Sequence, residues 1–134
     1  MYMLSRNIGL LFVVGLFSAC AASGPTLSPG LQSEYDAPLY CEGEQQCKTY
    51  WERAAYFVSA NAGFKVQTHT DMLIETYSPT GYSVYLGFKI TREPLGEGRY
   101  QIWTNAWCDN LFGCKPDHRE AIARAKRYIR TGQK

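Results

Sequence analysis

Between residues 44 and 62 the apolar positions Tyr50, Trp51, Ala54, Phe57 and Val58 recur every three or four residues. That is the period of a helix with one buried stripe, and Gly63 is placed to end it. The period then shortens to two. Phe64, Val66 and Thr68 alternate with Lys65, Gln67 and His69, and a further short run over 72–77 leads into the turn Ser78-Pro79-Thr80-Gly81. Alternation is strictest where Tyr82, Val84, Leu86, Phe88 and Ile90 face one way and Ser83, Tyr85, Gly87, Lys89 and Thr91 the other, which predicts a strand over 82–91. Glu93-Pro94-Leu95-Gly96-Glu97-Gly98 then reads as a hairpin-type connection into a strand over 99–108. Helical spacing returns at Ile122, Ala125, Tyr128 and Ile129. It predicts a helix over 118–130, with Asp117 as N-cap, Glu120 in capping-box position and Gly132 just past the end. The order implies an α+β domain: a helix, a three- or four-stranded antiparallel sheet and a C-terminal helix, with the helices on one sheet face.

Five cysteines change this picture. Four form two pairs of identical spacing, Cys41-x₅-Cys47 and Cys108-x₅-Cys114. An even set in an exported chain reads as a disulfide framework with three connectivities. Local pairing is expected, because each spacing closes a compact loop beside a helix, at roughly 2 kcal/mol per bridge against ~4 kcal/mol for crossed pairing. A four-thiolate zinc site is the sharper alternative, but the spacing exceeds the usual two to four residues. No pair has the two-residue spacing of a thioredoxin-type redox motif.

The fifth cysteine closes the leader. Arg6 precedes an apolar run over 8–17, and Phe17-Ser18-Ala19-Cys20 follows. This is the layout of a secretory signal peptide, and it resembles the signal and lipobox of bacterial lipoproteins, with Phe17 where that pattern prefers Leu. The resemblance covers about the first 22 residues. It implies that Cys20 is lipidated, becomes the first mature residue and holds the protein on a membrane through a diacylglyceryl group and an N-acyl chain such as palmitate. Two acyl chains suffice for stable anchoring. Ala21 implies the outer membrane, since retention signals place Asp there. The alternatives are simple secretion after Ala19 or Ala22 and a retained helix. The apolar stretch is shorter than the roughly 20 residues of a membrane span. We expect residues 1–19 to be the signal peptide, 20–39 the lipidated start and a flexible tether spanning roughly 25 Å, and 40–134 the periplasmic domain.

Removing 19 of the 134 residues leaves 115, enough for one small domain. Arg6 is the only charge lost from fourteen basic and twelve acidic residues, so the remainder is nearly neutral and gives no argument for nucleic acid. Charge is uneven, however: residues 115–134 hold seven basic and two acidic side chains. Arg124, Arg127 and Arg130 on the last helix are candidates for an anionic surface such as lipid headgroups or a cell-wall polymer, although a solvated basic face is the expected reading.

The strand over 99–108 is apolar or aromatic on both faces, with Tyr100, Ile102, Thr104 and Ala106 against Arg99, Gln101, Trp103, Asn105 and Trp107. If the first set meets the helices, Trp103 and Trp107 project from the other side, joined by Tyr85 and with Lys89 near. Exposed aromatics with polar companions compose binding hot spots, so Tyr85, Trp103 and Trp107 are the candidate contacts for a partner protein or glycan. The expected reading is coverage of this face by residues 31–40, which would make both tryptophans ordinary core. Leu111 and Phe112, at the tip of the second cysteine loop, are expected to fold back onto the core.

Nothing here reads as catalytic. His69 and His118 sit in different elements without ligand spacing, Ser59 and Ser83 lack an elbow-like glycine context, and no glycine-rich phosphate loop occurs. We expect no enzyme and no cofactor, but a membrane-anchored, non-catalytic binding or scaffolding module of the cell envelope. Its partners would be membrane lipid through Cys20 and an envelope protein or cell-wall glycan. The rivals are a periplasmic inhibitor of a hydrolase, a small hydrolase using His69 or His118, and a structural bridge between membrane and cell wall through the basic helix.

Overall fold

The computed structural model describes residues 26–134, and the leader with Cys20 lies outside the described residues. In chain order the elements are α1 (Pro29–Asp36), β1 (Leu39–Glu42), α2 (Gly43–Asn61), β2 (Val66–His69), β3 (Leu73–Thr76), β4 (Gly87–Gly96), β5 (Arg99–Trp107) and α3 (His118–Thr131). One antiparallel sheet runs β1-β5-β4-β3-β2, with a bulge between Val66 and Thr68 on its far edge. The α+β class holds, with five strands instead of three or four. Among the described residues no helix is long and apolar enough to cross a membrane.

The core lies between α2, α3 and the inward face of the sheet. The predicted α2 stripe, Tyr50, Trp51, Ala54, Phe57 and Val58, is buried throughout, and so are Ile74, Phe88, Ile90, Ile102 and Ala106 from the strands. Phe57 meets Phe88 edge-on at 6.0 Å between ring centres, a favoured aromatic geometry. At α3 the Asp117 carboxylate accepts from the amides of Arg119 (3.0 Å) and Glu120 (3.4 Å), and Gly132 closes the helix at φ 75°. Glu120 does not return the bond of a capping box, since its carboxylate accepts from Arg124 Nε instead (2.8 Å).

Four local expectations need correction. Residues 29–39, assigned to a tether, contain α1 and enter β1. An eight-residue helix is marginal alone, but α1 is pinned to α3: Glu34 pairs with Arg130 and Arg127, Arg119 donates to Gln32 Oε1 (2.7 Å), and Lys126 Nζ donates to the Tyr35 carbonyl (2.6 Å). The strand expected over 82–91 starts only at Gly87. Tyr82 takes φ 58°, and the carbonyls of Ser83 and Val84 accept from Asp109 and Lys115. In the hairpin, β4 runs on to Gly96 and only Glu97-Gly98 turn, both at positive φ as the right-handed twist of the strands requires. Finally, Gly63 does not cap α2, which ends on an extended Ala62. A Cβ there would lie 2.4 Å from Tyr85 Cβ, so Gly63 serves close approach of the chain before β4.

Both disulfides pair locally, Cys41–Cys47 and Cys108–Cys114, as the spacing predicts. They use all four thiols, which removes the four-thiolate zinc alternative.

Lys126 is buried beneath α1. Desolvation lowers its pKa from the ordinary 10.5, and the nearby Arg130 charge adds to this while Glu34 and Asp36 oppose it. The folded protein therefore holds this proton less tightly than the unfolded chain, so stability should rise with pH through the alkaline range up to the unfolded value. Urea melts of Lys126→Met at pH 8 and pH 10 should show a smaller alkaline gain than the parent. An equal gain in both proteins would refute this account.

Candidate functional site

The outward face of the sheet follows from the β4–β5 register. Thr91 lies opposite Trp103, Lys89 opposite Asn105, and Glu93 opposite Gln101, while Tyr40 of β1 meets Gln101 from the other side. Trp103 stands diagonal to Glu93, and its Nε1 donates to Glu93 Oε2 at 2.8 Å. That bond fixes the indole without burying it, since Trp103 is 53 % exposed. Lys89 pairs with Glu75 across the next strand (3.5 Å).

Coverage of this face by residues 31–40 is overturned. The carboxylate of Glu34 pairs with Arg130, the Gln32 Oε1 accepts from Arg119, and the Tyr35 carbonyl accepts from Lys126, all on α3, with Arg119 also 5.2 Å from the Tyr35 ring centre. Electrostatics thus draws α1 to the helical side of the molecule, and Trp103 is not core. Trp107 is half-buried. Tyr85 is exposed, but it precedes β4 and packs on Gly63 at the end of the sheet, so it does not join Trp103 in the strand row.

The Cys108–Cys114 loop also departs from expectation. Leu111 is 93 % and Phe112 100 % exposed, so neither folds back. The loop is held from below. Asp109 Oδ2 accepts from the Tyr82 amide (3.1 Å), Asn110 Nδ2 donates to the Tyr82 carbonyl (2.7 Å), and Asn110 Oδ1 accepts from the Phe112 amide (2.9 Å). Gly113 at φ 105° lets the chain return to Cys114. The apolar tip is therefore displayed on a braced support. The chain matches no protein-family model, no curated protein and no solved structure.

The basic candidates on α3 are largely engaged within the chain. Arg124 pairs with Glu120 (2.7 Å), and Arg127 (3.8 Å) and Arg130 both reach Glu34. Between α2 and α3, Arg124 and Arg127 border a cleft of about 270 Å³ with Tyr56, Phe57, Asn61 and Tyr128.

One arrangement escaped the sequence entirely. Arg92 leaves the inward face of β4 between the rings of Trp51 (5.2 Å) and Tyr100 (4.7 Å), and its buried Nε has no partner among the described residues. Such stacking is worth about 0.5–2 kcal/mol per ring. Nothing in the spacing of positions 51, 92 and 100 signals it, because three elements supply it.

His69 is exposed on β2, while His118 Nδ1 lies 3.9 Å from Asp117 at the start of α3. The fold does not join them to a shared cleft, and neither borders any of the clefts described. Among the described residues no cluster of three metal-ligating side chains occurs.

Proposed function

We propose that the chain is a lipoprotein of the bacterial cell envelope, acylated on Cys20, held on the outer membrane and facing the periplasm, whose domain is a non-catalytic binding module. The leader pattern and two disulfides support the location. The observation that carries the binding role is Trp103, a large aromatic standing half in solvent on the outward sheet face, which no other described residue covers, with its Nε1–H already committed to Glu93. Its ring is pre-oriented and gains by leaving water, as the aromatic anchors of protein interfaces do.

The test is photo-crosslinking in cells carrying the full chain, with a photoreactive residue at Trp103 and, separately, at Arg127. A discrete protein adduct from position 103 that disappears in a Cys20→Ala background is the expected result, together with loss of radiolabelled palmitate in that background. Adducts to cell wall or lipid at Arg127 alone would overturn the binding reading in favour of a structural tether.

A second reading draws on the loop tip. Leu111 and Phe112, displayed on a disulfide-closed loop, have the shape that fills an enzyme cleft, which favours an inhibitor of a periplasmic hydrolase over a scaffold.

A further inference from the structure

Among the described residues, part of the β5 backbone has no hydrogen-bond partner. The amides of Phe88 and Arg92 point to β3, donating to Thr76 Oγ1 (3.0 Å) and the Met72 carbonyl (3.0 Å). The alternating residues Gly87, Lys89 and Thr91 therefore bond to β5, at their partners Trp107, Asn105 and Trp103. Alternation along β5 turns the N–H and C=O of Thr104 and Ala106 the other way, toward the lane of β1. But β1 begins at Leu39, opposite Ile102, and Ala37 ties its amide to the Ser33 carbonyl of α1 (3.0 Å). Among the described residues no hydrogen bond reaches the backbone of Thr104 or Ala106 from that lane.

Two further observations mark the same place. Thr104 Oγ1 is buried without a hydrogen-bond partner among the described residues. A cleft of about 470 Å³ runs along the strand there, bordered by Pro38, Ile102, Trp103, Thr104, Asn105 and Ile122. A buried hydroxyl without a partner is costly, and an unpaired strand edge is a template for another strand.

We infer that the open edge of β5 at Thr104–Ala106 accepts an extended segment of a partner protein as a further strand, in line with β1. This rests on the reading of the domain as a binding module but uses the edge of the sheet, where that reading uses its face. The segment's inward residues meet Ile102, Ile122, the Thr104 hydroxyl and the flank of Lys126, so small apolar residues and Ser or Thr fit there. Its outward residues flank Trp103. A second copy of the chain does not fit. Antiparallel pairing of two β5 edges would bring the β1 of one copy, which lies on the same side of its own β5, into residues 108–111 of the other. A free tail or loop has no such appendage.

The test uses the full chain in detergent and a random nonapeptide library displayed on phage. Selected peptides are resynthesised with one N-methyl group at each position in turn, and binding is read by fluorescence anisotropy. Strand addition predicts at least tenfold weaker binding at alternate positions and little change between them. It also predicts shifted ¹H–¹⁵N signals and at least tenfold slower exchange for the Thr104 and Ala106 amides. Peptides that bind without a period-two effect but lose affinity in Trp103→Ala would overturn the edge and leave the face reading standing. A library without binders would overturn the inference too. So would protection of both amides before peptide is added that is lost on deleting residues 21–27, since the chain's own segment would then fill the lane.

Discussion

Phe88→Ala should cost about 3–5 kcal/mol of folding stability, the range for removing a buried aromatic side chain from a packed interior. Phe88 is wholly buried, sits mid-sheet opposite Ala106, and meets Phe57 of α2 edge-on. Its ring therefore joins the sheet to the helical layer, and no exposed segment can collapse into the space it leaves. Against a total of roughly 5–15 kcal/mol for a domain of this kind, the loss should lower the urea midpoint steeply while leaving the slope intact. Trp103→Ala, one layer away on the open face, should cost about 1 kcal/mol or less. Equilibrium urea melts followed by fluorescence of the remaining tryptophans compare the two. Equal costs would mean that the Trp103 face is packed, and the binding surface would be lost with it.

Replacing Cys41 and Cys47 together by alanine should cost about 2–3 kcal/mol, as expected for a bridge closing so short a loop. The two cysteines are six positions apart, and both are buried. The consequence reaches beyond global stability. β1 is a four-residue edge strand held by its pairing to residues 99–102 of β5 and by this bridge to α2. Without the bridge it should fray, and the amides of Leu39 and Cys41, which pair with Ile102 and Tyr100, should exchange with solvent well before the rest of the sheet. Hydrogen exchange on the Cys41→Ala/Cys47→Ala protein reads this directly. Uniform acceleration across all strands would show that the bridge acts only through the unfolded chain. Because β1 defines the lane beside Thr104, selective fraying should also alter any strand added there.

Short-range periodicity carried much of the fold. α2 and its buried stripe, α3 with Asp117 and Gly132 at its ends, a hairpin joining β4 to β5, though not its length or its two-residue turn, and the local disulfides were all legible. Each is specified by residues within a turn or a few pairs of one another. The aromatic row of β5 was legible too, as was the question of what covers it.

The answer to that question lies in long-range contacts. α1 is too short to form alone, and its place is set by Glu34, Gln32 and Tyr35 meeting cationic groups nearly a hundred residues away on α3, which draws it off the sheet face. β1 shows no pattern longer than Leu39-Tyr40-Cys41-Glu42, so its pairing depends on where β5 lies. Arg92 between Trp51 and Tyr100, the displayed Leu111 and Phe112, and the unpaired edge at Thr104 all arise where separate elements meet or fail to meet. Such features are set by competition among long-range contacts, and that competition is resolved only once the whole chain has folded.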